Sequence, residues 1–326
     1  MVTRSVVARS GPDLSETMAP RPVKLRFKLG DITVLQPTFA FICLETDAAP
    51  PQASVENPGI SAETAPSSVD GVMLSSLPTE GHLPRLTLLS GWIRYIPEQY
   101  DRYRVNLQGS FEEYLKKFSS KSRSTLKRKV RNFARFSGGQ VTWREFATVS
   151  EMQTFIGLAS AVSKKTYQES LLRIPFVTNE QFRRDVLQMA EDDKVRGFAL
   201  FHRDEPIAFL YCPLTQGILL YGRVGYDPDL AQWSPGTVLL YCVLEKLFKE
   251  GRYRAFDFGI GEGEHKAFWA TDKSHCATIY FWRRTLRNLI IVLLHAGMDS
   301  LSRCCGRLMG LLRLKVLLKK LLRRWH

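Results

Sequence analysis

The stretch RGFALFHRDEPIAFLYCPLTQGILLYGRVGYD, residues 196–227, constrains the fold most. It holds three apolar runs of strand length, separated by the turn-forming Asp204-Glu205-Pro206 and Gln216-Gly217. Runs that short, joined that tightly, predict an antiparallel meander of three strands. SPGTVLLYCVLEKLFKEG (234–251) then reads as a helix, with Ser234 as its N-cap, Pro235 in its first turn and Gly251 as its C-cap. YRAFDFGIG predicts a strand, GEHKAFWATD a short helix and ATIYFWRR a last strand. The order predicts an α+β fold, a mixed, mostly antiparallel central sheet flanked by helices.

Upstream, LTLLSGWIRYI reads as a strand. Ser110 with Glu113 has capping-box spacing ahead of Phe111, Tyr114, Leu115 and Phe118 at helical intervals. A second, strongly basic helix follows from about Ser122, with Leu126, Val130 and Phe133 on one stripe. Residues 46–84 are rich in Ala, Pro, Ser and Thr, and read as a linker unable to bury enough apolar area to order itself. The predicted organisation is a disordered N-terminus (1–22), short strands and linker (23–84), one main domain (85–285) and a basic amphipathic helical tail (286–326).

Charge is segregated. The chain carries +14 in all, yet residues 112–135 hold +7 and residues 283–326 hold +10, which leaves −3 for the remainder. A near-neutral body with two basic attachments is implied. The six cysteines form no CxxC and no evident pairing framework, so reduced thiols are expected. The six histidines show no HxxxH or HExxH, and no metal is expected. No secretory leader is visible after Met1, and the apolar stretch LIIVLLHAG is too short to cross a membrane, so a cytoplasmic location is expected.

At SPGT the chain places Pro235 and the side-chain-free Gly236 at the mouth of a long helix. First-turn amides carry the positive end of the helix dipole and suit a phosphate. A well-capped core helix explains the same residues.

SKKTYQESLL, VRGFALFHRDEPIAFLYCP, LLYGRVGYDPDLAQWSPGTVLL and FDFGIGEGEHKAFWAT, in this order, resemble the GNAT superfamily, specifically its CelD-like branch associated with cellulose and exopolysaccharide biosynthesis and related to Fem-type transferases. The likeness covers roughly residues 100–285. WSPGT stands where the superfamily usually has a Q/RxxGxG/A loop. The resemblance implies the GNAT fold and transfer of an acyl group from acetyl-CoA or another acyl-CoA to an amine, directly and without a metal. The setting it implies is polysaccharide or cell-envelope synthesis, with an amine acceptor that is sugar-linked in such pathways. By position it implies a coenzyme A site at Val224, Gly225, Ser234, Pro235, Gly236, Thr237 and Val238.

Such a transfer needs a group to take the amine proton and donors for the oxyanion and thiolate. Catalytic candidates are Asp257 at a strand end, Glu262 and Glu264 around flexible Gly263, His265, and Tyr221 as a thiolate proton donor. Acceptor-site candidates are Lys164, Tyr167, Lys266 and Trp269. Each has a plainer reading as well: capping for Asp257 and Glu264, a solvated helix face for His265 and Lys266, core packing for Trp269 and Tyr221.

The C-terminal RLMGLLRLKVLLKKLLRRWH (307–326) sets seven leucine and tryptophan side chains on one arc and Lys/Arg on the other, the pattern of a helix lying on an anionic membrane surface. A helix docked on the protein body is the alternative. The basic run 121–135 lacks a recognised nucleic-acid motif and reads as a solvated face or a groove for an acidic acceptor rather than a nucleic-acid site. Two other functional classes fit the sequence: a membrane-associated, non-catalytic GNAT-like scaffold, and a Fem-like transferase using aminoacyl-tRNA.

Overall fold

The computed structural model of the chain describes residues 19–30, 32–45, 52–169, 179–261 and 263–311. They fall into two compact units, residues 1–100 with 275–326, and residues 101–274.

The first unit begins with β1 (Pro20–Lys24), β2 (Phe27–Leu29), β3 (Ile32–Leu35) and β4 (Thr38–Glu45). β1 pairs antiparallel with β4, and β2 with β3 forms a separate hairpin. Residues 52–84, expected as a linker, instead fold around β5 (Gly71–Pro78), parallel to β4. The expectation weighed average composition, whereas Val69, Val72, Leu74 and Leu77 concentrate the apolar area in one place and are buried. At Gly71 a Cβ would stand 2.1 Å from the Phe281 carbonyl oxygen, so only glycine fits there. The disordered start expected to run to residue 22 is contradicted at its end, where β1 begins at Pro20; residues 1–18 lie outside the described residues. β6 (Leu86–Leu88) and β7 (Trp92–Asn106) follow.

β7 carries the chain into the second unit. There come α1 (Phe111–Lys116), α2 (Ser120–Phe136), β8 (Thr142–Phe146), α3 (Val149–Glu169), α4 (Glu180–Glu191), β9 (Val195–His202), β10 (Glu205–Thr215), β11 (Ile218–Leu220), β12 (Arg223–Tyr226), a 3-10 turn (Pro228–Trp233), α5 (Pro235–Glu250), β13 (Ala255–Ile260) and α6 (Glu264–Trp269). Ser110 caps α1 in a full capping box with Glu113, and Gly251 ends α5 in the left-handed conformation.

The sheet of this unit runs β7-β13-β11-β10-β9-β8, antiparallel except for the parallel pair β11/β13. Alternation along the strands sorts the core into two layers. Phe198, Leu200, Leu210 and Cys212 pack with α1, α2 and α5, while Ala199, Phe209 and Tyr211 pack with α3 and α4. This is the α+β arrangement the sequence predicts.

β14 (Asp272–Arg283) returns the chain to the first unit, where it pairs antiparallel with β5, and α7 (Leu286–Leu311) closes the described chain. α7 begins the predicted tail, but Val292 and His295 are buried in the unit's core. Tyr95 and His295 meet at 2.6 Å between the phenol oxygen and Nδ1. The remainder of the predicted interfacial helix, 312–326, lies outside the described residues.

Candidate functional site

The run GILLYGRVGYD reads as one strand but folds as two. β11 pairs with β10 up to Leu219 and with β13 up to Leu220, which stands opposite Asp257. The Tyr221 amide donates to the Asp257 carbonyl at 2.7 Å. Beyond that rung, β12 stays with β10 (Leu210 opposite Val224) while β13 continues to Ile260 opposite Arg102. Past this point the two strands part.

Two features hold β12 on its side of the gap. Gly225 presses against Phe209 so closely that a Cβ would lie 2.5 Å from the ring. The loop after β12 is tied to α3: Thr166 Oγ1 donates to the Tyr226 carbonyl (2.6 Å), and Lys165 Nζ bonds Asp227 (2.7 Å).

Beside β12 lies a cavity of about 930 Å³. Tyr221 through Tyr226 form one wall, Ser234 through Thr237 one end, and His265 the other side. Ser234 does not cap α5 with its side chain, contrary to expectation. It sits in the left-handed conformation (φ 54°), ending the preceding 3-10 turn, and its carbonyl accepts from Val238. Gly236 and Thr237, ahead of Val238, have no intrahelical carbonyl for their amides, and both line the cavity. Gly236 has ample room, a Cβ there meeting only Tyr226 at 3.9 Å.

A second cavity of about 330 Å³ shares Thr237 and His265 with the first. Lys121, Ser122, Thr125 and Lys129 of α2 form one side, and Phe268 and Trp269 of α6 the other.

His265 thus belongs to both cavities, its side chain exposed into them. Loss of hydration between their walls lowers its pKa below 6.5, and the charges of Lys266 and Lys129 push the same way. The imidazole is therefore neutral at pH 7 and able to accept a proton. Its ring centroid lies 6.3 Å from that of Tyr221.

The other predicted residues divide. Val224, Gly225, Ser234, Pro235, Gly236, Thr237 and Tyr221 line the large cavity. Val238, placed with them by sequence, points into the core and is fully buried. Asp257 is fully buried and lines neither cavity. Its Oδ2 receives Arg104 Nε at 2.6 Å and lies 2.7 Å from Arg102 Nε, and its Oδ1 accepts from the Gly259 amide at 2.7 Å. A carboxylate so engaged anchors the strand end and has no route to an amine.

Glu264 is exposed in the first turn of α6, away from both cavities, with Gly263 at the cap position instead. Glu262 lies outside the described residues, and at Tyr167 only the backbone of α3 is described. Lys164 is exposed on α3 and reaches neither cavity; its neighbour Lys165 makes the structural ion pair. Lys266 Nζ donates to the Ile260 carbonyl at 2.7 Å. Trp269 is core, at 1 % exposure, with only an edge in the small cavity. Sequence reasoning missed Arg223 and Leu240 in the large cavity, and read the basic run of α2 as a whole without singling out the residues that line the small one. The spacing Lys121, Thr125, Lys129, one helix face, was the available signal.

Residues 120–267 match the acetyltransferase (GNAT) domain family. The match runs from the start of α2 into α6 and takes in every lining residue of the large cavity and all but Phe268 and Trp269 of the small one. The second unit carries the GNAT fold. Among solved structures, FemX aligns over 86 % of this chain and 92 % of its own, at 10 % identity and a TM-score of 0.53. The C-terminal domain of a putative lysylphosphatidylglycerol synthetase from Agrobacterium fabrum aligns over 70 % of this chain and 72 % of its own, at 13 % identity and TM-score 0.47. L-PGS from Bacillus licheniformis aligns over 69 % and 72 %, at 15 % and 0.42. A search of curated proteins finds no match. Among the described residues no group of His, Cys, Asp and Glu could hold a metal ion, and no helix is long and apolar enough to cross a membrane.

Proposed function

We propose that the GNAT domain transfers an acyl group from acetyl-CoA or another acyl-CoA directly to an amine. The observation that carries this reading is the parting of β12 from β13 beside the start of α5. An extended pantetheine arm would lie in the cavity along β12, in the manner of an added strand. The amides of Gly236 and Thr237, at the positive end of α5, suit the pyrophosphate. The thioester then lies toward His265, between the two cavities.

In the reaction, His265 takes a proton from the attacking amine as the C–N bond forms and the C–S bond breaks. The departing thiolate is protonated by Tyr221, whose ring faces the same space. Asp257 supports the site only by fixing the last rung between β11 and β13. Titration of the full-length protein with coenzyme A by calorimetry tests the reading; a protein that binds none refutes it and favours a non-catalytic scaffold.

The likeness of the quoted motifs to the CelD-like branch supports a place in polysaccharide or cell-envelope synthesis, at the inner face of the membrane. The outer stripe of α7 adds to this: Leu286, Ile290, Leu293, Leu294 and Leu301 are all more than 45 % exposed. They share one arc of the helix. Cutting the chain at 285 would remove buried Val292 and His295, so charge substitution at Leu294 and Leu301 is the sounder test. Unchanged sedimentation of that variant with anionic vesicles would remove the membrane from the proposal.

A second reading is a Fem-like transfer from aminoacyl-tRNA. It is favoured by α2, which over Ser120–Phe136 contains seven Lys/Arg and no acidic residue. Salt-sensitive tRNA binding would support it.

A further inference from the structure

We infer that the small cavity between α2 and α6 is a subsite for an anionic group, a phosphate or carboxylate, borne by the amine acceptor. The inference rests on the acyl-transfer reading of the larger cavity but is carried by separate residues.

Lys121 and Lys129 stand two turns apart on one face of α2, about 12 Å along its axis, with Thr125 between them. Lys121 lies in the first turn of the helix, where the dipole adds positive potential. Among the described residues no carboxylate lines the cavity and neither lysine has an ion-pair partner. Two cations without a counter-charge, beside two hydroxyls, form a site complementary to an anion.

The opposite side differs. Phe268 is 39 % exposed, and with the edge of Trp269 it offers an apolar surface. Lys117 Nζ holds that side in place by donating to the Phe268 carbonyl at 2.8 Å. A volume near 330 Å³ is at the small end for ligand sites, about 300 Å³. The cavity therefore fits one compact body with an anion at one edge and an apolar face, such as a single charged amino sugar.

Position gives the anion a second consequence. His265 and Thr237 join the two cavities, so a ligand anchored by the lysines extends its amine toward the imidazole. The charged groups facing His265 are Lys129 from α2 and Lys266 on its own helix. Their field opposes a cationic amine and favours the neutral, attacking form. A ligand anion at Lys121 and Lys129 offsets the same field and lets the amine approach.

The test is calorimetric, on the full-length protein, with three matched amines: glucosamine, glucosamine 6-phosphate and 2-amino-2-deoxyglucuronic acid. Wild type should bind one of the anionic sugars at least ten-fold tighter than glucosamine, and the better of the two identifies the anion. K121Q and K129Q should each erase most of that preference while coenzyme A affinity stays within two-fold. Equal binding of all three, binding of none, or a preference that survives both substitutions would overturn the inference. If coenzyme A does not bind but the lysine-dependent preference remains, the acyl-donor reading fails and the anion subsite stands.

Discussion

The Tyr221 amide and the Asp257 carbonyl, 2.7 Å apart, form the last rung before two strands separate. Everything proposed for the site lies just past that bond. Asp257 serves it from behind, its carboxylate turned onto Arg102 and Arg104 and its backbone onto Tyr221.

Replacing Asp257 by Asn should therefore damage stability rather than chemistry. It leaves two guanidinium groups facing a neutral amide. Loss of one partner of a fully buried pair costs about 3 to 5 kcal/mol, and both arginines retain some solvent, so about 2 to 3 kcal/mol is expected. Denaturant titration measures this, and the folded fraction should retain coenzyme A binding. Wild-type stability would show that the ion pairs contribute little.

Gly236→Leu should abolish coenzyme A binding without unfolding the domain. A Cβ at Gly236 is sterically free, and the longer side chain enters the cavity where the pyrophosphate is placed. Calorimetry with coenzyme A and thermal melting separate the two effects; full affinity in a folded variant would exclude this end of the cavity.

Gly225→Ala should act on both. The added methyl collides with Phe209, which forces β12 to shift and costs on the order of 1 to 3 kcal/mol, as overpacking does. The pair Gly236 and Gly225 thus distinguishes a glycine that leaves space for a ligand from one that permits close packing.

The pH dependence follows from His265. Its pKa is held below 6.5 first by desolvation, then by Lys266 and Lys129. A base works when unprotonated, so activity falls as pH drops through that lowered pKa, and the acid limb lies below pH 6.5. Lys129→Gln removes one repelling charge, raises the pKa and moves the limb to higher pH. His265→Gln should remove the limb and lower kcat about 10²- to 10⁴-fold. A pH–rate profile with an unmoved limb in both variants would assign the proton transfer elsewhere.

Arg283→Gln should loosen residues 52–70. The guanidinium donates to the carbonyls of Ala62 (2.7 Å), Ala65 (2.6 Å), Pro66 (2.7 Å) and Val69 (3.0 Å). Limited proteolysis should show new cleavage in this segment, with the second unit intact.

Much of the second unit is legible from sequence, because alternation in β9 and β10, the Ser110–Glu113 capping box and the Gly251 cap are local signals. The site itself is not. Nothing in LLYGRVGYD announces that Gly222 marks a break, since the break is made by distant residues: Phe209 against Gly225, and Lys165 and Thr166 on the loop after Tyr226. Asp257 misled for a related reason. A carboxylate at a strand end looks available until the arginines from β7, far earlier in the chain, are seen to cover it. Segment 52–84 was read by its average composition, which hides the few buried valines and leucines that decide its fold.

The return of β14 and α7 to the first unit has a consequence for how the chain matures. The second unit is continuous in sequence, whereas β5 must wait for β14, and the Ala62–Val69 loop for Arg283. During synthesis the second unit can close while β5 still lacks its partner β14. β5 is apolar and open along that edge in the interval, so a stalled or shortened chain would present it to aggregation or to chaperones before the second unit showed any defect.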